Sequence, residues 1–107
     1  MKGYKLSETE LKGQIKDYLN VVGIFSYPLL QGLGSYAGGP DRIMHYRESV
    51  IYLEIKTAAG KLSPAQQAFK EQCERDKIPY YIIRSIEELI SIIGDDYEPI
   101  KELGKGW

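Results

Sequence analysis

The chain has few of the residues that usually announce a mechanism. Among 107 residues there is one cysteine, Cys73, one histidine, His45, and one tryptophan, Trp107. A lone cysteine excludes an internal disulfide and suits a reducing cytoplasm, the expected compartment. No apolar stretch approaches the roughly 20 residues that a membrane-crossing helix needs. The opening Met1-Lys2-Gly3-Tyr4-Lys5 has no apolar run of the signal-peptide kind. An excess of one charge is missing too: 14 Lys and Arg face 15 Asp and Glu, a net of −1. That balance argues against a nucleic-acid partner until its distribution is read. Residues 1–84 hold 12 basic and 9 acidic side chains, a net of +3, whereas residues 85–107 hold 2 and 6, a net of −4. The longer, basic part permits a polyanionic partner. Repeats, linkers and low-complexity segments are absent. The length suits one domain, 1–107, with a core over about 7–93 and a peripheral tail over 94–107.

What is present is a regular succession of elements. Ser7 reads as an N-cap for a helix that ends at Gly23, with Leu11, Ile15, Tyr18, Leu19 and Val22 as its apolar stripe. Strands are expected over 24–30, 41–46, 50–57 and 79–84, the second and third joined by a turn at Arg47-Glu48-Ser49. Gln31–Gly39 carries Gly32, Gly34, Gly38 and Gly39 and reads as a loop. Ser63-Pro64 opens a helix running to about Asp76, and Ser85 caps a last helix through Ile93, stopped by Gly94. The order is α-β-β-β-α-β-α. The helix between the third and fourth strands makes that pair parallel, so the expected fold is an α/β mixed sheet flanked by helices.

The chemistry concentrates at two places in this order. Asp41 follows Gly38-Gly39-Pro40, and thirteen residues later Glu54-Ile55-Lys56 lies in the apolar run Val50–Lys56. Strand side chains alternate, so Glu54 and Lys56 share one face while Leu53 and Ile55 take the other. An acid and a lysine on a buried strand are costly without partners. Asp41, at the start of the neighbouring strand, supplies a second carboxylate. Two unit charges about 4 Å apart repel by about 4 kcal/mol at an effective dielectric near 20. A divalent cation removes that cost, and hard oxygen ligands suit Mg²⁺ or Mn²⁺. On the first helix, Glu8 precedes Leu11, Ile15 and Leu19 by three, seven and eleven residues and lies near the inward stripe. Glu10 lies off that stripe and completes a capping box with Ser7.

With Pro40-Asp41 and Glu54-Ile55-Lys56 in place, the chain resembles the PD-(D/E)XK (restriction-endonuclease-like) nucleases. Within them it resembles the VRR-NUC (virus-type replication-repair nuclease) domain in its stand-alone, phage-type form. The matching pieces are Ser7-Glu8 with Leu11, Gly39-Pro40-Asp41-Arg42-Ile43, Glu54-Ile55-Lys56-Thr57 and Gly60-Lys61-Leu62-Ser63-Pro64-Ala65-Gln66. The resemblance implies an Mg²⁺- or Mn²⁺-dependent endonuclease acting on DNA. Its small stand-alone members imply a homodimer that resolves four-way (Holliday) junctions. It also implies that Asp41, Glu54, the carbonyl of Ile55 and Glu8 hold the metal, that Lys56 holds the attacking water and stabilises the phosphorus centre, and that Gln66 bonds the water or a phosphate.

Arg42, Lys61, Lys12 and Lys16 are the expected phosphate contacts, which position DNA without reading its sequence. The plainer alternatives are a turn aspartate at Asp41, a cross-strand ion pair for Glu54 and Lys56, and solvated polar side chains at Gln66, Gln67 and the lysines. His45 and Cys73 are expected to pack, and the nine tyrosines are expected to be mostly strand and core material. Rival functions are a nicking, flap or general repair nuclease and, from another class, a nucleic-acid-binding module without catalysis.

Overall fold

Serine caps, a proline and glycine stops divide this chain into elements before any tertiary contact forms. A computed structural model describes residues 5–30 and 35–94. The expectations for Gly32, Gly34 and the tail beyond Gly94 fall outside the described residues. The elements are α1 (Glu8–Val22), β1 (Ser26–Pro28), β2 (Arg42–Tyr46), β3 (Ser49–Ile55), α2 (Pro64–Asp76), β4 (Tyr80–Ile83) and α3 (Ile86–Ile93). The sheet runs β1-β2-β3-β4, antiparallel except for the parallel pair β3 and β4. This is the expected order and the expected mixed sheet. No helix among the described residues is long and apolar enough to cross a membrane.

The first strand is shorter than expected at both ends. Ile24 donates its N–H to the carbonyl of Leu19 and completes the end of α1 around the left-handed Gly23, so it is taken from the strand. At the other end Pro28 with Arg42 is the last strand pair, and one further bond, from the Leu29 N–H to the Asp41 carbonyl, follows it. The hairpin between β2 and β3 is tighter than expected. Tyr46 pairs directly with Ser49, and Arg47 and Glu48 both take left-handed backbone at φ 54° and 62°. A two-residue turn with two positive φ values matches the sheet twist and normally selects Asn-Gly, which this chain lacks.

The two sheet faces differ. Ile51, Leu53 and Ile55 of β3 face Leu11, Ile15 and Leu19 of α1 and Leu89 and Ile93 of α3, with Met44 and Ile83 completing the aliphatic core. On the opposite face Phe69 of α2 packs against Tyr52 and Tyr80, with ring centroids 5.6 and 6.2 Å apart. Cys73 is buried on the same helix, as a packed residue should be. Glu54 alternates onto this second face, so its burial comes from α2 and its aromatic neighbours rather than from the aliphatic core.

Candidate functional site

Asp41 stands where β2 begins. Its N–H donates to the carbonyl of Leu53, and Arg42 pairs with that same Leu53. Two residues of one strand therefore address one residue of the next, as in a β-bulge, which re-aims a side chain. The side chain so turned accepts the N–H of Ile55 on Oδ2 at 2.7 Å. In a strand a residue's N–H and C=O point the same way, so the carbonyl of Ile55 lies toward Asp41 as well.

Glu54 is 1% exposed. Its Oε2 accepts from Gln66 Nε2 at 3.0 Å and lies 3.8 Å from Lys56 Nζ. Its Oε1 has no hydrogen-bond partner; among the described residues Tyr80 Oη is the only other buried side-chain atom in that state. Burial first, then the charge of Asp41 and a hydrogen bond with it, push the Glu54 carboxyl from 4.5 to about 8, while Lys56 pulls the other way. Protonated, Glu54 can donate to Asp41; ionised, it leaves a buried oxygen without a donor. Burial, then the negative charge of Glu54, also pushes the Tyr80 phenol up, so Tyr80 keeps its proton.

The first turn of α2 orients Glu54. Ser63 and Gln66 form a reciprocal capping box: Gln66 N–H donates to Ser63 Oγ at 3.1 Å, and Gln66 Oε1 accepts the N–H of Ser63 at 2.8 Å. That leaves the Nε2 end of the same amide fixed toward Glu54. The spacing Ser63-Pro64-Ala65-Gln66 is as legible in the sequence as Ser7 and Glu10, and it is the signal that the sequence reading of Gln66 missed.

Glu8 and Lys12 arrive from α1. Lys12 Nζ lies 3.1 Å from Glu8 Oε2 and 3.4 Å from Asp41 Oδ1. Although burial pulls it down, the hydrogen bond to Glu8 and the charges of Asp41 and Glu8 raise the Lys12 ammonium above its ordinary value. The structure thus assigns Lys12 to the carboxylates. Glu8 is separated from Asp41 by that ammonium, and among the described residues no three His, Cys, Asp or Glu side chains converge on one point. Glu10 stays in its capping box, its Oε1 accepting the N–H of Ser7 at 2.8 Å.

The expected phosphate contacts separate. Lys16 and Lys61 are exposed. Arg42 is 8% exposed, with Nε donating to Ser26 Oγ at 2.9 Å, so it is not placed on the surface as a phosphate contact requires. Burial lowers its guanidinium from the ordinary arginine value. His45, expected to pack, is exposed and lies edge-on to Phe25, with ring centroids 4.9 Å apart. Arg84 was not anticipated. Its Nη1 donates to the carbonyls of Thr57 at 2.8 Å and Gly60 at 2.7 Å, gathering the loop that follows Lys56. A Cβ on Gly60 would meet Lys56 Cδ at 3.4 Å, so that loop backs the stem of the lysine. No local pattern marks Arg84, because its partners lie more than twenty residues away.

Two carboxylates, one with an orphaned oxygen, and a neighbouring peptide carbonyl form a donor set of hard oxygens. Oxygens of this kind suit a hard cation rather than a soft metal.

No family model and no curated protein matches the chain. Solved structures do. One, described as "VRR_NUC domain", aligns with a TM-score of 0.70 over 84% of this chain and 97% of its own, at 20% identity. Another, described as "VRR_NUC domain protein", aligns with a TM-score of 0.65 over 84% of this chain and 87% of its own, at 19% identity. This chain shares the α/β fold of those structures.

Proposed function

We propose that this chain, which has the fold of the VRR_NUC structures, is a metal-dependent endonuclease that hydrolyses DNA phosphodiesters at branched structures, four-way junctions above all. One observation carries the reading: Glu54 is buried to 1% exposure against Asp41 with one oxygen lacking any donor. A scaffold has no need of that arrangement, whereas a bound cation would supply the missing partner. Asp41, Glu54 and the carbonyl of Ile55 would hold the ion, with Glu8 joining directly or through water. Mg²⁺ or Mn²⁺ supplies positive charge that acidifies the attacking water and neutralises the phosphate oxygens.

The side chains divide the remaining work. The Ile55 N–H fixes one oxygen of Asp41, and Gln66 fixes one oxygen of Glu54, so both carboxylates are oriented before substrate arrives. Lys56 places a point charge beside Glu54, suited to holding the water and to countering the charge that grows on phosphorus. Lys12 offsets Glu8 and Asp41 and relieves part of the repulsion among the acids. Lys16 and Lys61 serve as outer phosphate contacts. Junction resolution needs two matched cuts, which a symmetric homodimer supplies.

The test is cleavage of labelled four-way junction, flap, duplex and single-stranded DNA with Mg²⁺, Mn²⁺ or EDTA. Wild type should cut the junction symmetrically and only with metal. Asp41→Ala and Glu54→Ala should each lower the rate by about a hundredfold or more while retaining DNA binding. Cutting spread over several structures would reduce the reading to a general DNA nuclease. Binding without cutting in any metal would leave a noncatalytic module.

A further inference from the structure

Beside the carboxylates the chain exposes apolar surface that a charged site does not need. Leu30 and Tyr36 are 83% and 75% exposed, the two most exposed large hydrophobic side chains among the described residues. They stand at one cavity of about 270 Å³, whose walls also include Leu29, Pro40, Tyr52 and Phe69. Leu29 in its wall donates its N–H to the Asp41 carbonyl, and Tyr52 precedes Glu54 by two residues on the same face of β3, so the cavity shares walls with the strands that carry the site. The Tyr36 ring lies 5.8 Å from Phe69, and Phe69 in turn contacts Tyr52 and Tyr80 on the sheet face that carries Glu54.

This shelf is fixed in place. Gly38 has φ 83°, and a Cβ there would run into the backbone of Ala65 in the first turn of α2. Only glycine permits so close an approach at that φ. The N–H of Gly39 donates to the carbonyl of Tyr36 at 3.1 Å and closes the turn. The helix turn that aims Gln66 at Glu54 therefore also seats the segment carrying Tyr36.

We infer that the shelf formed by Tyr36 on Phe69 receives one nucleobase unstacked from the DNA beside the phosphate that is cut. Three observations select this occupant. The surface is aromatic and offers a flat face, which every base can stack on whatever its sequence. At about 270 Å³ the cavity on this side of Tyr36 is the size of one ring system, and Tyr36 and Phe69 also wall a second one of about 600 Å³. The walls of the smaller cavity lie on the strands that carry Asp41 and Glu54, so a base next to a phosphate held there would reach it. Branch points and bulges present bases already partly unstacked, so the shelf favours such DNA without reading its sequence. The inference rests on the nuclease reading for its substrate, and the experiment separates the two.

The test uses the full chain and a labelled duplex with a single bulged adenine, beside the same duplex with an abasic bulge. Binding is followed by fluorescence anisotropy in EDTA, where no metal supports cleavage, and cutting is measured separately in Mg²⁺. Wild type should bind the adenine bulge about tenfold more tightly than the abasic one. Tyr36→Ala should lose that preference, Tyr36→Phe should keep it, and Leu30→Ser should weaken it. Tyr36 is largely exposed, so an unchanged melting temperature accompanies the loss. Wild type that cuts DNA yet shows no preference for the base overturns the shelf and leaves the nuclease. A base preference abolished by Tyr36→Ala in a protein that cuts nothing supports the shelf and overturns the nuclease. No DNA binding by wild type overturns both. A Tyr36→Ala chain that keeps the preference but changes its sedimentation shows a second protein copy as the occupant and overturns the inference.

Discussion

Glu54 has one donor on Oε2, none on Oε1 and a second carboxyl beside it. Its proton count sets a pH dependence. Between the ordinary carboxyl value of 4.5 and about 8 the folded chain holds a proton that the unfolded chain has released. Stability therefore falls as pH rises through that window. In EDTA the melting temperature of wild type should drop from pH 5 to pH 8. Glu54→Gln, which keeps the shape and still accepts from Gln66, should flatten that curve and be more stable at pH 8 by roughly 1–3 kcal/mol. The same variant should not cleave DNA, and Mg²⁺ should raise the melting temperature of wild type alone. A wild-type curve that rises toward pH 8 in EDTA would count against the buried pair. The identity of this residue was legible, since an acid and a lysine two apart in an apolar run share a face. Its orphaned oxygen was not, because that depends on which groups α2 brings over the sheet.

At the scale of the element, both long helices begin with reciprocal capping boxes, and the boxes do different work. Glu10 is consumed by the cap of α1, so Glu10→Gln should cost at most about 1 kcal/mol and leave cleavage intact. Glu8→Gln removes a carboxylate that Lys12 ties to Asp41, and it should slow cleavage far more than Glu10→Gln does. Parallel rate and melting measurements on the two variants decide this, and the reverse ranking would refute the helix phase. In α2 the box and the site share Gln66. Ser63→Ala should cost about 1 kcal/mol with modest loss of activity, whereas Gln66→Ala loses both the cap and the donor to Glu54. The hairpin offers an independent check of the backbone. Glu48→Gly relieves one left-handed non-glycine residue and should raise stability by about 0.5–1 kcal/mol, read as a higher denaturation midpoint. The turn's place was legible from Arg47-Glu48-Ser49, but its type was not, because the usual Asn-Gly signal is missing.

The two sheet faces carry different loads, although α1 also reaches Asp41 through Lys12. The aliphatic side, with Leu53 at its centre, holds α1 and α3, while the aromatic side, under α2, holds Glu54 and the shelf. Leu53→Ala should therefore cost about 2–5 kcal/mol and lower activity only through unfolding, so activity per folded molecule stays near wild type below its transition. Sedimentation should give twice the mass of the chain if junctions are cut in pairs. A monomer that still resolves junctions symmetrically would remove the argument for a dimer.

The sequence by itself determined the element order, the mixed sheet, the caps of the three helices and the face on which Glu54 and Lys56 lie. These depend on residue periodicity and on hydrogen bonds spanning three or four positions, which are local quantities. Only the tertiary structure decided that Asp41 bulges out to bind the Ile55 amide, that Lys12 serves the carboxylates, that Arg42 is buried, that Arg84 gathers the loop behind Lys56, and that Tyr36 stands exposed against Phe69. Each of these depends on how strands register and helices dock, which joins residues far apart in the chain and leaves no mark at any single position.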